Sequence, residues 1–298
     1  MKKFMKICGI LSLILIVVGI VMISTVGIVK GPGMIRSLKQ NIANGLDGLD
    51  LLEDGVNLHV TSDMAFESGV AVYEGSVSQD FSADEIENLD VEAGTCQLNI
   101  LPSEDGDFHV NVEKAGTYQG YVSDGTLYLR LISSTDVGLS ADDSEFNLNL
   151  QVASCKLDLY VPENFYFSQA ELSLAAGTIS GSTPFKTDDL EIELAAGEIG
   201  LSNLEIGFLN AKSGAGTLQL KGSILEGAEV KCGMGEVDME LSGRETDFNY
   251  DIEVAAGDVT IGKKSFGGLA RERNINNNAP RDITVECSMG SVDISFAE

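Results

Sequence analysis

The chain has 298 residues, among them 33 glycines, 5 prolines and no tryptophan. Its 19 basic and 46 acidic residues give a formal net charge of −27 at pH 7. Such an acidic surface repels phosphate backbones, so the composition argues against a nucleic-acid-binding protein. Abundant glycine with little proline is typical of a protein with many tight corners between strands.

An uncharged apolar run of 23 residues extends from Ile7 to Val29. About 20 helical residues cross the hydrocarbon core of a bilayer, so the run predicts a transmembrane anchor at 7–29 behind a short cytoplasmic tail at 1–6. A cleaved secretory signal is the alternative, although its apolar region usually has about 7–15 residues. Basic residues flank the run on both sides and only slightly favour a cytoplasmic N-terminus. We therefore expect a single-pass protein of the cell membrane whose C-terminal domain is extracytoplasmic.

The juxtamembrane and entry segment is predicted to span residues 30–80. Apolar residues recur at helical spacing between 34 and 54, whereas Gly45 and Gly48 weaken that pattern. A juxtamembrane helix, a lid on the end of the following domain and a plain linker all remain open.

A repeated string, apolar-x-apolar-x-Ala-Gly-x-apolar, defines the domain at 81–298. It reads LSLAAGTIS from Leu172, IELAAGEIGL from Ile192 and IEVAAGDVTI from Ile252. Another copy has Cys155 in the glycine slot, and the later copies follow it at steps of 22, 20, 19, 19, 22 and 33 residues. The predicted corner glycines are Gly94, Gly177, Gly197, Gly216, Gly235, Gly257 and Gly290.

The phase of the apolar residues predicts how each copy folds. They lie at −1, −3 and −5 before the glycine and at +2 and +4 after it, an alternation typical of strands with one buried face. The alternation slips by one residue at the glycine, so the chain must turn a corner there to keep both strands facing inward. Steps of about 20 residues then predict one coil each of an all-β solenoid with about eight coils.

The rival fold is an antiparallel β-sandwich, which would need hairpin turns between its strands. One such turn is predicted at Asp124-Gly125, within residues 101–149, where the repeat is weakest. We interpret this stretch as an antiparallel flap on the solenoid.

The motifs FSADEIENLDVEAG (Phe81–Gly94) and LDLYVPENF (Leu157–Phe165), together with the serial copies, resemble the bacterial "putative adhesin" family of β-strand repeat domains. The resemblance covers about residues 82–298. It implies a β-helical domain near the cell envelope, often behind a membrane segment, and of largely unknown function. The basic insertion at 262–281 departs from the family pattern.

The repeat also assigns places to the cysteines and to the last copy. Cys232 and Cys287 share the −3 slot with one coil between them, so we expect them to lie about 9–10 Å apart, too far for a disulfide. Cys96 and Cys155 could pair only if residues 101–149 looped out completely. The final copy is expected to form an unprotected solenoid end, which predicts self-association through that end.

The insertion at 262–281 contains five of the 13 basic residues that follow residue 39. A basic loop on an acidic rod predicts binding of an anionic envelope polymer or of a protein partner's acidic face. The alternative is a flexible, solvated loop that pairs with the rod's own carboxylates. The five candidate binding residues are Lys263, Lys264, Arg271, Arg273 and Arg281.

The sequence predicts no catalytic residues, no cofactor and no metal site. Its two histidines, His59 and His109, both lie outside the regular coils, so a Ser-His-Asp triad is hard to build. No CxxC pair is present, and Asp238 and Asp293 in the +3 slot are only a weak Ca²⁺ signal. We expect a non-enzymatic structural or interaction module. A polysaccharide-active β-helix enzyme and a self-assembling solenoid scaffold are the alternatives.

Overall fold

The computed structural model describes residues 66–133, 135–142, 145–152, 155–267 and 270–297. The predicted anchor at 7–29, the cytoplasmic tail and the helical stripe at 34–54 lie outside these ranges. Within them, no helix combines the length and the hydropathy that a membrane crossing requires.

The described chain is built of β-strands, with short 3-10 turns at Ala83–Glu85 and Glu245–Asp247. The strands are β1 (Tyr73–Phe81), β2 (Asn88–Ser103), β3 (Phe108–Ser123), β4 (Thr126–Ser133), β5 (Thr135–Asp142), β6 (Glu145–Val152), β7 (Lys156–Pro162), β8 (Tyr166–Gly181), β9 (Phe185–Leu194), β10 (Glu198–Ser213), β11 (Thr217–Cys232), β12 (Glu236–Ser242), β13 (Phe248–Val254), β14 (Asp258–Ile261), β15 (Lys264–Gly267), β16 (Arg271–Ile275), β17 (Arg281–Cys287) and β18 (Ser291–Ala297).

Parallel, in-register pairing stacks these strands into rungs, each with one strand before the corner and one after it. The described stack has eight rungs, and the long strands β2, β8, β10 and β11 each pass through a corner or from one rung to the next. In spatial order the rungs are formed by β4 with β7, by the two halves of β2, by the two halves of β8, by β9 with the first half of β10, by the second half of β10 with the first half of β11, by the second half of β11 with β12, by β17 with β18, and by β13 with β14. The hairpin of β5 and β6 forms a separate two-stranded sheet. The all-β, solenoid-like fold predicted from the repeat is therefore confirmed.

The inward side chains of successive rungs form one continuous apolar core. Full burial of an aliphatic side chain contributes about 1.5–3 kcal/mol, and no rung could bury its inner face alone. The column two residues after the corner is less than 2% exposed throughout and consists of Leu157, Leu98, Ile179, Ile199, Leu218, Val237, Val292 and Val259.

The corner itself spans three residues, so the prediction that the −1 residue belongs to a strand and points inward is wrong. Between β9 and β10 it consists of Ala195, Ala196 and Gly197, and β9 ends at the −3 position. The −1 residue therefore lies on the corner and does not point inward. Met234 and Met289, which occupy this slot, are 45% and 43% exposed.

Glycine is required at the corner mainly because the next rung comes so close. A Cβ on Gly235 would overlap the carbonyl oxygen of Gly216, and one on Gly290 would overlap that of Gly235. Only Gly177 and Gly197 also have a left-handed φ, of 120° and 113°.

Gly94 does not occupy the glycine position of its corner. Cys96 is the residue of β2 that lies opposite Gly177, two residues further along the chain. Gly94 instead lies near the backbone of Leu131 and Ile132, and a Cβ there would make ordinary contacts. The buried alternation in β2 slips between Ala93 and Cys96, so Gly94 is the first residue of this three-residue corner and Cys96 is its last.

The rungs do not follow one another in chain order, which overturns two further expectations. The final copy, β17 with β18, lies between the rung of β11 and β12 and the rung of β13 and β14. Both of its edges are paired, so it is not the open end on which the predicted self-association rested. Cys232 and Cys287 are direct register partners and are not separated by a coil.

Antiparallel strands cover the two ends of the described stack. At one end β3 pairs with β4 and β7, and β1 pairs with β3. The hairpin of β3 and β4 turns at Asp124 and Gly125, as the sequence predicts. This excursion loops out far enough for Cys155 to return beside Cys96, since Gln97 donates a backbone hydrogen bond of 2.9 Å to the Cys155 carbonyl.

Replacing Gly235 with alanine tests the role of the corner contacts. Because the new Cβ meets backbone rather than a mobile side chain, we expect a loss of about 1–3 kcal/mol in the free energy of unfolding. Gly200→Ala is the matched control, since nothing lies within 4 Å of a Cβ at Gly200. Denaturant unfolding of the full chain in detergent measures both, and equal effects would contradict the corner argument.

Candidate functional site

The basic insertion forms two strands that cover the last rung of the stack. β15 pairs antiparallel with β14, and β16 pairs antiparallel with β13. These strands satisfy backbone donors and acceptors that the edge of the rung would otherwise expose. The insertion thus adds paired strands of 4 and 5 residues to the two sheets, where the alternative considered a flexible, solvated loop. The pairing with carboxylates of the rod that this alternative included is found for Lys264 and Arg281.

Amide side chains hold the segment between β16 and β17 against the rung. The side chain of Asn249 accepts hydrogen bonds from the backbone N–H groups of Asn277 and Ala279, at 2.9 and 3.1 Å. The Asn277 amide donates to the carbonyl of Phe248 at 2.7 Å. The asparagine run that follows Ile275 therefore has a structural role in docking the insertion.

Two of the five candidate cations are neutralised by carboxylates of the 3-10 turn at Glu245–Asp247. Lys264 Nζ lies 2.7 Å from Glu245 Oε1. Arg281 lies 3.7 Å from Asp247, donates to the carbonyl of Ile224 at 2.8 Å, and stacks over Phe248 with its Cζ 4.2 Å from the ring centroid. Lys264 and Arg281 thus tie the insertion to the 3-10 turn, and their charges are already used in these contacts rather than free for a ligand.

The other three cations, Lys263, Arg271 and Arg273, are exposed and have no acidic partner among the described residues. Arg271 lies opposite Val254 in the antiparallel pair, and Arg273 lies opposite Ile252. Opposed residues of a β-ladder point to the same face, and Val254 and Ile252 point into the core. The side chains of Arg271 and Arg273 therefore leave β16 on the core side of the sheet, at the capped end of the stack.

A cavity of about 400 Å³ lies at this end of the stack. Ile252, Val254 and Phe266 supply the apolar part of its lining, called here the apolar floor, and Arg271, Glu272 and Arg273 of β16 also line it. This volume lies in the range of ligand pockets, and an apolar floor with a few charged groups is their usual composition. Guanidinium groups bind carboxylates and phosphates in bidentate fashion, so the arrangement suits an anionic ligand.

Elsewhere on the described surface, lysines are held between carboxylates of neighbouring rungs. Lys212 lies 2.9 Å from Glu191 and 2.8 Å from Glu193. Lys231 lies 3.0 Å from Glu229 and 3.4 Å from Glu286. The charges of Lys212 and Lys231 are neutralised by carboxylates of the solenoid, whereas Arg271 and Arg273 have no such partners among the described residues.

One carboxylate of the outer face, Glu171, forms no ion pair among the described residues, and Arg130, which pairs with the neighbouring Asp90, offsets its environment only in part. Its register partners on the two neighbouring rungs are Asp90 and Glu191, so three acids lie side by side. Partial burial, and then the charges of Asp90 and the neighbouring glutamates, raise the pKa of the Glu171 carboxyl to about 7. The folded protein therefore retains a proton at Glu171 under mildly acidic conditions.

The described histidine is not part of a hydrolytic triad. Nδ1 of His109 lies 2.7 Å from Asp80 and Nε2 lies 2.8 Å from Asp105, and these bonds raise the pKa of His109. Carboxylates engage both ring nitrogens, so neither can take a proton from a serine. Ser103 donates to Asp105 rather than to the ring. His59 lies outside the described residues.

A second cavity, of about 420 Å³, opens on the outer face of the strands that follow the corner. Its polar lining includes Asn99, Ser180, Gln219 and Lys221, and none of the described residues that line it is an acid. Glycoside hydrolysis usually requires a pair of carboxyl groups, which the lining of this cavity does not supply. The adjoining cavity of about 270 Å³ shares Gln219 and Lys221 with it and is lined by Asp238, Glu240 and Asp293.

The predicted Ca²⁺ signal also gains little from the structure. Asp238 and Asp293 are register partners on β12 and β18. Across the ranges that the structure covers, however, no group of three or more His, Cys, Asp or Glu residues could hold a metal ion.

These observations define a class: an all-β solenoid with antiparallel strands over both ends of its described stack. A family model described as Toastrack DUF4097 matches residues 86–240 and again 190–295. The two matches together cover more than half of the chain, which therefore belongs to the Toastrack DUF4097 family.

Solved structures with adhesin names are also similar to the chain, and no curated protein matches it. A "putative cell adhesion protein" from Clostridium sporogenes is 14% identical, with 76% of this chain and 100% of that one covered and a TM-score of 0.38. "Putative adhesins" from Bacteroides fragilis and Parabacteroides distasonis are 12% and 13% identical, cover 74% of this chain and 96% and 97% of their own, and have TM-scores of 0.30 and 0.32. The family resemblance predicted from the repeat is confirmed.

Replacing Glu171 with glutamine tests whether the pKa of this carboxyl is raised in the folded protein. The folded-state pKa of about 7 lies above the ordinary 4.5, so folding takes up a proton and stability falls as the pH rises through this interval. After allowance for solvent screening, the variant should gain about 1–2 kcal/mol in unfolding free energy at pH 8 and nothing at pH 4. Glu226→Gln, at an exposed site, serves as the control. A gain that is the same at both pH values would contradict the shifted pKa.

Proposed function

We propose that the chain is a membrane-anchored, extracytoplasmic interaction module of a bacterial cell envelope that binds an anionic envelope polymer at its cationic end. The apolar run at 7–29 supports the anchor. The observation that carries the binding proposal is the placement of Arg271 and Arg273, without acidic partners, on the same face as Ile252 and Val254.

Charge favours this end of the molecule over every other described surface as the binding site. The protein carries a formal charge of −27, so a polyanion is repelled along the acidic rod and is held only where unpaired cations converge. The two arginines lie two residues apart on one strand, about 7 Å along its length, which suits successive charged groups of a polymer.

The proposal includes no catalysis. A polysaccharide-active enzyme would need carboxyl groups beside its substrate, and the outer cavity of about 420 Å³ is lined by amides, hydroxyls and Lys221. Asp238, Glu240 and Asp293 line the smaller cavity next to it, where Glu240 is paired with Lys221. Glu272 is the one acid that lines the end cavity, and it supplies a single carboxyl group. An interaction module needs only the complementary charge and the apolar floor.

The test is the binding of fluorescent inorganic polyphosphate to the full chain in detergent micelles, measured by anisotropy. Charge-assisted hydrogen bonds contribute about 1.5–3 kcal/mol each, so Arg271→Gln with Arg273→Gln should weaken binding at least tenfold. The matched control is Lys186→Gln with Lys221→Gln, which changes the net charge equally but removes cations already paired with Glu205 and Glu240.

The control should leave affinity within about twofold of the wild type. Equal losses in the two double variants would show that only overall charge matters and would refute the end site. Absence of any binding by the wild-type chain at millimolar polyphosphate would refute the proposed ligand class.

Deletion of residues 7–29 tests the anchor separately. We expect the full chain to sediment with membranes through alkaline carbonate washing, because about 20 apolar residues hold a helix in the bilayer. The deleted form should appear in the soluble fraction. Retention of the deleted form in washed membranes would contradict the assignment of the anchor to this run.

A further inference from the structure

The four described cysteines lie in two pairs, each formed across neighbouring rungs. Cys232 and Cys287 are in-register partners of β11 and β17. Cys96 and Cys155 directly precede the first paired residues of β2 and β7, Gln97 and Lys156, and hence lie side by side. All four side chains are buried, at 4% exposure or less.

Each pair joins two neighbouring rungs that are distant along the chain. After Cys96 the chain completes β2, forms β3 to β6 and returns beside β2 at Cys155. After Cys232 it forms β12, the last rung and the basic cap, and it returns beside β11 at Cys287. Each pair therefore closes one long excursion of the described chain between neighbouring rungs.

The geometry of both sites suits a covalent bond. Neighbouring strands of a sheet lie about 4.8 Å apart, within the Cα separation of 4.4–6.8 Å found for disulfides. All four cysteines are free thiols in the structure. A hydrogen bond with Cys155, together with burial, raises the pKa of Cys96, and a hydrogen bond with Cys287, together with burial, raises the pKa of Cys232.

A simpler role for two of these cysteines is to support the corner. Cys232 Sγ donates to the carbonyl of Gly235 at 3.3 Å, and Cys287 Sγ donates to that of Gly290 at 3.2 Å. Ser213 makes the same bond to Gly216 at 3.2 Å, so serine suffices for this purpose. Support of the corner does not explain why, at both places where an excursion of the chain closes, the two neighbouring residues are both cysteines.

We propose that Cys96–Cys155 and Cys232–Cys287 form disulfides as the domain folds, each fastening the return point of one excursion. The oxidant is a disulfide compound such as oxidised glutathione. One cysteine thiolate attacks its S–S bond and releases one thiol. The second cysteine thiolate then attacks the mixed disulfide and releases the other. Two thiol protons and two electrons pass from the cysteine pair to the oxidant.

Thiol counting on the refolded full chain tests this proposal. The purified protein is unfolded in guanidinium with reductant, refolded in detergent in a buffer of reduced and oxidised glutathione, and alkylated after renewed unfolding. We expect alkylation at Cys8 alone, and peptide mass mapping should show 96 linked to 155 and 232 linked to 287. Reductant should then lower the Tm of the folded protein by about 5–15 °C.

Cys232→Ser with Cys287→Ser is the informative variant, because serine can retain the corner hydrogen bond that Ser213 makes. Its strand content, measured by circular dichroism, should be unchanged, and the Tm shift on reduction should be smaller than in the wild type. Replacement of all four cysteines with serine should abolish the shift. Alkylation of all five cysteines in the wild type, glutathione adducts in place of cross-links, or other linkages would overturn the proposal; one missing link would overturn it for that pair.

Discussion

The fold depends on a backbone contact repeated at each corner of the stack that has a glycine. The corner glycine of one rung presents its carbonyl oxygen where a Cβ of the next would lie, and the following residue donates to it. The backbone N–H of Thr217 donates to the carbonyl oxygen of Gly197 at 2.8 Å. In the same way Glu236 donates to Gly216 at 2.9 Å and Ser291 to Gly235 at 3.0 Å. The contact fixes the register of both adjoining strands at once, because a slip of one residue would turn each buried side chain outward.

This constraint explains which parts of the fold the sequence could predict. The alternation on either side of each Ala-Gly step predicts strands and a corner, and the step length predicts a rung. The order of the rungs is not encoded in the same way, because any copy with inward apolar residues and a corner glycine can stack on any other. Chain order is only the default, and the copy that contains Gly290 departs from it.

A signal for the true order does exist in the sequence. The copies VKCGMGEVDMEL and VECSMGSVDISF share cysteine at −3, methionine at −1 and aspartate at +3, and they prove to be direct neighbours. Matched side chains on adjacent rungs pack in the same rotamer and form ladders. Comparison of the copies with one another, rather than with a common pattern, would have placed Cys232 beside Cys287.

The candidate site was predictable in composition but not in detail. Five cations in one insertion on an acidic chain indicate a cationic surface. Which of the five cations are paired depends on Glu245 and Asp247, which lie in a separate turn and neutralise Lys264 and Arg281. The apolar floor was not predictable either, because Ile252 and Val254 read as ordinary core positions until the rung that bears them is found at the end of the stack.

The same placement also bears on self-association. A solenoid end exposes backbone groups to any other strand, and proteins protect such edges with short, charged strands. β15 has 4 residues and β16 has 5, and β16 carries two arginines whose charge opposes pairing with another copy of itself. Strand addition of a second chain would also bury those guanidinium groups without partners, which costs several kcal/mol. The cap thus disfavours stacking of identical copies while it leaves room for an anion, and the two effects have the same physical origin.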